Sequence, residues 1–154
     1  MISTSGSRLL SEEAMDALLT KLLPLATVIT PNILEAECLS GLKITNKEDM
    51  QKAALQMATH YKGYILIKGG HLADTADDLL YDNGMFTWFL GEKIANENTH
   101  GTGCTLSSAI ACHLAAGLDM EESIRRAKVY ITGALRDELD LGAGNGPLNH
   151  CYQL

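Results

Sequence analysis

Two short apolar runs, Ala26 to Thr30 and Tyr64 to Lys68, stand singly between stretches of helical spacing, and that alternation constrains the chain to an α/β design. Ser11 to Leu23 carries Met15, Leu18, Leu19, Leu22 and Leu23 at helical intervals, with Ser11 as the N-cap and Pro24 as the stop. Asn32 to Leu39 predicts a short helix ended by Gly41, and the capping-box pattern Thr45 to Glu48 opens another that runs to about His60. Single strands joined through helices predict a mainly parallel sheet. Asp78 to Asp82 and Met85 to Leu90 are the exception, because they flank Asn83-Gly84, the strongest short-range signal for an antiparallel β-hairpin. Further on, Leu106, Ile110 and Leu114 form one helical stripe, while Ala109, Ala111, Ala115 and Ala116 keep that helix slim for packing on a sheet. Asp119 with Glu122 caps a last helix whose buried face is Ile124, Ala127, Ile131, Ala134 and Leu135, and Gly142 to Pro147 is a loop before a short tail.

A length of 154 residues suits a single compact domain, 1–154, with a real core, and 46% apolar and 20% charged residues are ordinary for a globular protein. Nineteen acidic against twelve basic residues give a formal charge of -7, which argues against nucleic acid or an anionic membrane as partner. An anionic ligand must therefore be held by local donors. The first eight residues lack a basic segment followed by an apolar one, and no later stretch is long enough to span a bilayer, so a cytoplasmic location is expected. Cys38, Cys104, Cys112 and Cys151 form no C-x-x-C pair, which points away from a zinc site or redox dithiol and leaves reduced thiols. Cys38 and Cys112 sit in helical patterns and read as small core residues.

The run Asn98 to Leu106 places a glycine-flexed turn at the start of a helix. Gly101 and Gly103 can adopt backbone angles closed to other residues and let a ligand approach the main chain. The unpaired N–H groups of a first helical turn, with the positive end of the helix dipole, favour a phosphate or a developing oxyanion. The same field favours the thiolate of a cysteine placed there, Cys104, which can then accept a proton. The bland alternative is a strand-to-helix turn with a buried cysteine. Leu106 stands where the last glycine of G-x-G-x-x-G would be, and no G-x-x-x-x-G-K-[ST] occurs, so the dinucleotide fingerprint and the P-loop are both excluded.

Thr30-Pro31-Asn32-x-x-Glu35 sets an amide and a carboxylate three residues apart on one face of a short helix, an arrangement suited to Mg²⁺ or its bound waters. A capping amide beside a solvated glutamate explains the same residues. Lys68-Gly69-Gly70-His71 puts a cation and two permissive residues at a strand's end, where open α/β sheets build ligand sites; the alternative is a surface lysine before a flexible turn. His71 and His100 neighbour these runs in sequence only.

Together these runs resemble the hydroxymethylpyrimidine and phosphomethylpyrimidine kinases of thiamine diphosphate biosynthesis, members of the ribokinase-like superfamily. The resemblance runs along the chain through Ser3 to Gly6, Ile29 to Ala36, Ile65 to His71, His100 to Leu106, Ala127-Lys128 and Gly146-Pro147. Sugar kinases of the superfamily usually carry Asp where this branch, like this chain, carries Cys104. The resemblance implies a three-layer ribokinase-like α/β sandwich and an ATP- and Mg²⁺-dependent phosphotransferase acting on 4-amino-5-hydroxymethyl-2-methylpyrimidine and its monophosphate. In it Gly101, Thr102 and Gly103 form an anion hole, Cys104 is the catalytic base, and Asn32 and Glu35 organise Mg²⁺ through water. Lys68, Gly69 and Lys128 are implied nucleotide contacts.

In that family the chain begins well upstream of the segment matching Met1, with strands that supply most of the pyrimidine pocket. The expectation is therefore a C-terminal, nucleotide-binding portion with N-terminal strands missing, whose exposed sheet edge favours self-association or pairing with the absent piece. A pyridoxal kinase-like enzyme and a non-catalytic nucleotide-binding fragment are the alternatives. A thiol hydrolase using Cys104 as a covalent nucleophile is a third, without an acyl pocket in view.

Overall fold

The computed structural model describes residues 10–70, 76–94, 101–137, 141 and 146–153. Ser3 to Gly6, His71, Asn98 to His100 and residues 142–145 of the expected loop lie outside the described residues. The chain gathers into two compact units, Met1–Glu92 and Lys93–Leu154. Each is considered by itself.

The first unit opens with α1 (Glu12–Ala17), and the Ser11 hydroxyl accepts the Ala14 N–H at 3.2 Å as its cap. The single helix expected to run to Leu23 does not form. Leu18–Leu22 widens into a π turn, with the Leu23 N–H reaching back five residues to the Leu18 carbonyl, and Leu23–Leu25 tightens into a 3₁₀ turn. Pro24 has no N–H to continue the α ladder and its ring would strike the carbonyl four residues back, so the chain rewinds around it. None of these residues is buried, and Leu19, Leu22 and Leu25 are exposed.

β1 (Val28–Ile29) pairs in parallel with β2 (Tyr64–Ile67), and between them lie α2 (Ile33–Ser40) and α3 (Lys47–Ala58). Gly41 ends α2 in the left-handed conformation, φ 71°, as a C-cap glycine should. The start of α3 is shifted by one residue from the expected box. Asn46, not Thr45, is the N-cap, accepting the Asp49 N–H at 2.9 Å, while the Thr45 hydroxyl donates to the Asp49 carboxylate at 2.8 Å. β3 (Asp78–Asp82) and β4 (Met85–Phe89) form the expected hairpin, and Asn83 and Gly84 both take positive φ, 44° and 92°.

The α/β reading holds, and the sheet of the described residues is mixed rather than mainly parallel. Its order is β1-β2-β3-β4, and both the β2–β3 and β3–β4 pairings are antiparallel. The link from β2 to β3 is too short for a helical crossover, so the hairpin returns directly alongside β2. Ile29, Ile65, Ile67 and Leu79 meet Ile33 and Ala36 of α2 and Met50, Ala53, Ala54 and Met57 of α3 in one core. Leu66 and Leu80, paired on the opposite face, are also buried. Each such aliphatic side chain contributes about 1.5–3 kcal/mol on burial, so this layer is the main anchor for the strand ends.

In the second unit α4 (Thr102–Ala115) packs on α5 (Met120–Arg136). Asp119 caps α5 as expected, accepting the Glu122 N–H at 2.8 Å. Leu106 and Ile110 of α4 are buried, with Ile124, Ala127 and Ala134 of α5. Cys38 and Cys112, expected in the core, are exposed. Helix phase explains both: α2 buries Ile33, Ala36 and Ser40, and α4 buries Leu106 and Ile110, stripes from which the cysteines are rotated away. Ala111, Ala115 and Ala116 are exposed for the same reason. In the tail the Tyr152 ring packs against Gly133, where a Cβ would stand 2.2 Å from the ring.

One long-range bond ties the helical layer to β1. The Tyr61 hydroxyl donates to the Ala26 carbonyl at 2.9 Å, and Gly63 lies so close that a Cβ would come within 2.1 Å of that oxygen. Burial raises the Tyr61 hydroxyl above its ordinary pKa of 10.0, so the neutral donor persists longer in the folded chain than in the unfolded one. Its contribution is complete below about pH 10 and is lost as the pH rises through the raised folded value. Tyr61→Phe should reduce stability by about 1 kcal/mol at pH 8, and the gap from the parent should narrow above about pH 10. Paired urea-unfolding curves check this, and equal midpoints at pH 8 would contradict it.

Candidate functional site

The ladder between β1 and β2 does not stop with the strands. Asn32 and Lys68 form a further parallel bridge, and the Lys68 N–H donates to the Pro31 carbonyl at 2.9 Å. Two motifs separated by more than thirty residues of sequence thus emerge side by side at the carboxyl ends of parallel strands, the usual place for ligands in open α/β sheets.

Asn32 and Glu35 are brought together as a reciprocal capping box. The Asn32 side-chain oxygen accepts the Glu35 N–H at 2.9 Å, and Glu35 Oε2 accepts the Asn32 N–H at 3.0 Å. The amide is therefore the cap, and the carboxylate is held at the same helix end rather than merely solvated. Both side chains are half-buried, and the box leaves Oε1 as the glutamate oxygen outside the cap. Among the described residues no cluster of three or more His, Cys, Asp or Glu side chains could hold a metal. A hard cation fits here only as a hydrated ion completed by phosphate oxygens, with one carboxylate to orient its waters.

Lys68 is half-buried and its neighbour Gly69 is buried. Gly69 is glycine for a steric reason: a Cβ there would stand 1.9 Å from the Asp77 carbonyl oxygen. Gly70, by contrast, has open space on that side. The Gly69 N–H donates to Asp78 Oδ1 at 3.0 Å, a buried bond. Neither Asp77 nor Asp78 stands out in the sequence, where Asp78 reads only as the first residue of a hairpin strand. Adjacent acids at the entrance of an apolar strand are the one signal that points to them.

In the second unit Gly101 is the N-cap of α4, φ 86° and ψ -4°, a conformation strained for other residues. Gly103 does not share it; it is a helical position in the first turn, and only its missing side chain opens the main chain to approach. No side chain caps α4 and no acidic residue lies in its first turn, unlike α2, α3 and α5, each capped by Asn or Asp with acids following. That first turn carries the positive end of the helix dipole, with no acid of its own to offset it.

Cys104 is exposed, which removes the buried-cysteine alternative. Together with Cys112, His113, Tyr130 and His150 it lines a groove of about 730 Å³ in this unit. Tyr130 stacks beside His150 and donates its hydroxyl to the His150 carbonyl at 3.1 Å. Arg126 also borders the groove, but its guanidinium bonds Glu122 at 2.7 Å, and Arg125 bonds the same carboxylate at 2.6 Å. Those two hydrogen bonds, Arg126 first, hold the Glu122 carboxyl below its ordinary pKa. Lys128 is half-buried on α5. No helix among the described residues is long and apolar enough to cross a membrane.

The sequence pattern of phosphomethylpyrimidine kinase matches residues 1–149. The chain is 42% identical to a hydroxymethylpyrimidine/phosphomethylpyrimidine kinase of Streptomyces coelicolor over 153 residues, 99% of this chain and 57% of that protein. Among solved structures it resembles phosphomethylpyrimidine kinase from Clostridium difficile, with TM-score 0.74 and 42% identity over 87% of this chain and 54% of that one. It also resembles Bacillus subtilis pyridoxal kinase in an ADP complex, with TM-score 0.83 and 39% identity over 92% of this chain and 54% of that one. The chain thus spans a little over half the length of these three relatives. With residues 1–149 matched and about two residues in five shared with named kinases, the chain belongs to the phosphomethylpyrimidine kinase family.

Proposed function

We propose that the chain is the nucleotide-binding portion, 1–154, of an ATP-dependent kinase that phosphorylates 4-amino-5-hydroxymethyl-2-methylpyrimidine and then its monophosphate. The observation that carries this reading is the acid-free N-terminus of α4 behind a left-handed Gly101, with Cys104 in its first turn. Phosphoryl transfer asks a protein mainly to position reactants and to neutralise charge on the equatorial oxygens. Backbone N–H groups of Thr102, Gly103 and Cys104 are the donors for that charge.

Cys104 acts as the base. The substrate hydroxyl oxygen bonds to the γ-phosphorus as the bond to the β,γ-bridging oxygen breaks and ADP leaves, and the hydroxyl proton passes to Cys104 Sγ. In the second step a phosphate oxygen of the monophosphate is the acceptor. Lys68 and Gly69 lie against the nucleotide phosphates, the Lys68 ammonium supplying the charge and Gly69 the close approach, and Lys128 lies toward the nucleotide. Mg²⁺, when bound, would neutralise phosphate charge, and Asn32 and Glu35 would hold its waters, with Glu35 Oε1 outside the cap. A cytoplasmic location accords with this reading, as does assembly into oligomers or with the part of a family kinase that this chain does not span.

Pyridoxal phosphorylation is the second reading, favoured by the likeness to the Bacillus subtilis enzyme. The test is pyrimidine-dependent release of ADP by the purified chain. Cys104→Ala should lower the rate about a hundredfold or more while Mg-ADP affinity stays unchanged, since removal of a general base affects the chemical step. Equal rates would remove Cys104 from the chemistry. Preference for pyridoxal in direct competition would favour the second reading, and Mg-ADP binding without any turnover would support a binding role alone.

A further inference from the structure

Residues 76–78 are clasped between two glycines in a repeated arrangement. Gly69, at the exit of β2, gives its N–H to Asp78 Oδ1 at 3.0 Å, and its Cα lies against the Asp77 carbonyl, 1.9 Å from where a Cβ would be. Gly91, beyond the exit of β4, gives its N–H to Asp77 Oδ1 at 2.8 Å, and its Cα lies against the Ala76 carbonyl, 2.1 Å from a Cβ. Each glycine is thus held at two points, by a carboxylate on its N–H and by backbone pressed on its Cα. Asp77 reaches a third element as well: its Oδ2 pairs with Lys47 Nζ at 2.7 Å, at the first residue of α3, and that ammonium sits 4.9 Å over the Trp88 ring.

Asp77 and Asp78 are 5% and 6% exposed. Burying two adjacent carboxylates is unfavourable unless both are paired or hydrogen-bonded, and their like charges oppose each other. A hairpin needs no such pair; Asn83-Gly84 already sets its turn and register. What the pair adds is a fixed main chain at Lys68-Gly69. The Lys68 N–H is held by Pro31 from the β1 side and the Gly69 N–H by Asp78 from the β3 side.

We propose that Asp77 and Asp78 are positioning residues that hold the Lys68-Gly69 turn in the one conformation that receives nucleotide phosphate, Asp78 acting on the Gly69 peptide and Asp77 bracing the return strand through Gly91 and Lys47. The inference rests on the reading of Lys68 and Gly69 as phosphate contacts. A preorganised loop binds more tightly because little ordering remains at the moment of binding.

Amide hydrogen exchange at Gly69 and calorimetric Mg-ADP affinity, both on the full chain, test it. Asp78→Ala should speed Gly69 exchange and weaken Mg-ADP binding about tenfold, as loss of one buried hydrogen-bond acceptor predicts. Asp78→Asn, which keeps an acceptor oxygen in place, should recover most of both. If Asp78→Ala does not fold, Asp78→Ser, polar but too short to reach Gly69, replaces it with the same expectation. Gly69 exchange that is unchanged in these variants overturns the inference. So does a freed Gly69 with parental Mg-ADP affinity, the result expected if the clasp serves stability alone. A parent chain that binds no Mg-ADP overturns the phosphate-contact reading and this inference with it, whereas a parent that binds and a variant that binds equally overturns the inference alone.

Discussion

Parallel pairing of β1 with β2, carried one step further by the bridge between Asn32 and Lys68, determines where every candidate residue of the first unit stands. Parallel strands end on the same side of a sheet, so the helix that begins at Asn32 and the loop that begins at Lys68 start from neighbouring points. The pairing holds because Ile29, Ile65 and Ile67 are buried against α2 and α3, and a slip of one residue would turn that face away from the core. Core packing therefore fixes the position of an amide, a carboxylate and a lysine that take no part in the core themselves.

The two helix starts that carry the motifs are opposite in kind. At α2 the polar groups satisfy each other, with Asn32 and Glu35 closing both ends of a capping box. At α4 a left-handed glycine, with no side chain to cap the helix, stands at the N-cap, and the first turn brings no acid. A glycine N-cap is less stable than an Asn or Asp cap by only about a few tenths of a kcal/mol, a small sacrifice that leaves room for an external anion.

Features set by local chemistry were legible in the sequence. Asn83-Gly84, Gly41 and Gly101 all take the positive φ that their positions required, and Ser11 and Asp119 cap the helices assigned to them. Features that depend on phase or on distant partners were not. Cys38 and Cys112 share helices with core residues but lie off the buried stripe, and Pro24 unwound a helix that its leucine spacing favoured. The mixed sheet follows from a short return between β2 and β3, where periodicity gives strand positions but not strand directions. Gly69 stands in the sequence as a permissive residue, and the reason for it is a close backbone approach by Asp77. Asp77 and Asp78 act through bonds to residues nine and fourteen positions away, which no local pattern encodes.

The central claim is the proposal that the main chain at the start of α4 receives nucleotide phosphate. Backbone amide NMR during titration with Mg²⁺ and a non-hydrolysable ATP analogue tests it most directly. The account predicts large, saturable shifts at Thr102, Gly103 and Cys104, because hydrogen-bonded phosphate oxygens deshield the N–H groups that donate to them. Saturable binding that leaves the amides of Thr102 to Cys104 unmoved would contradict it.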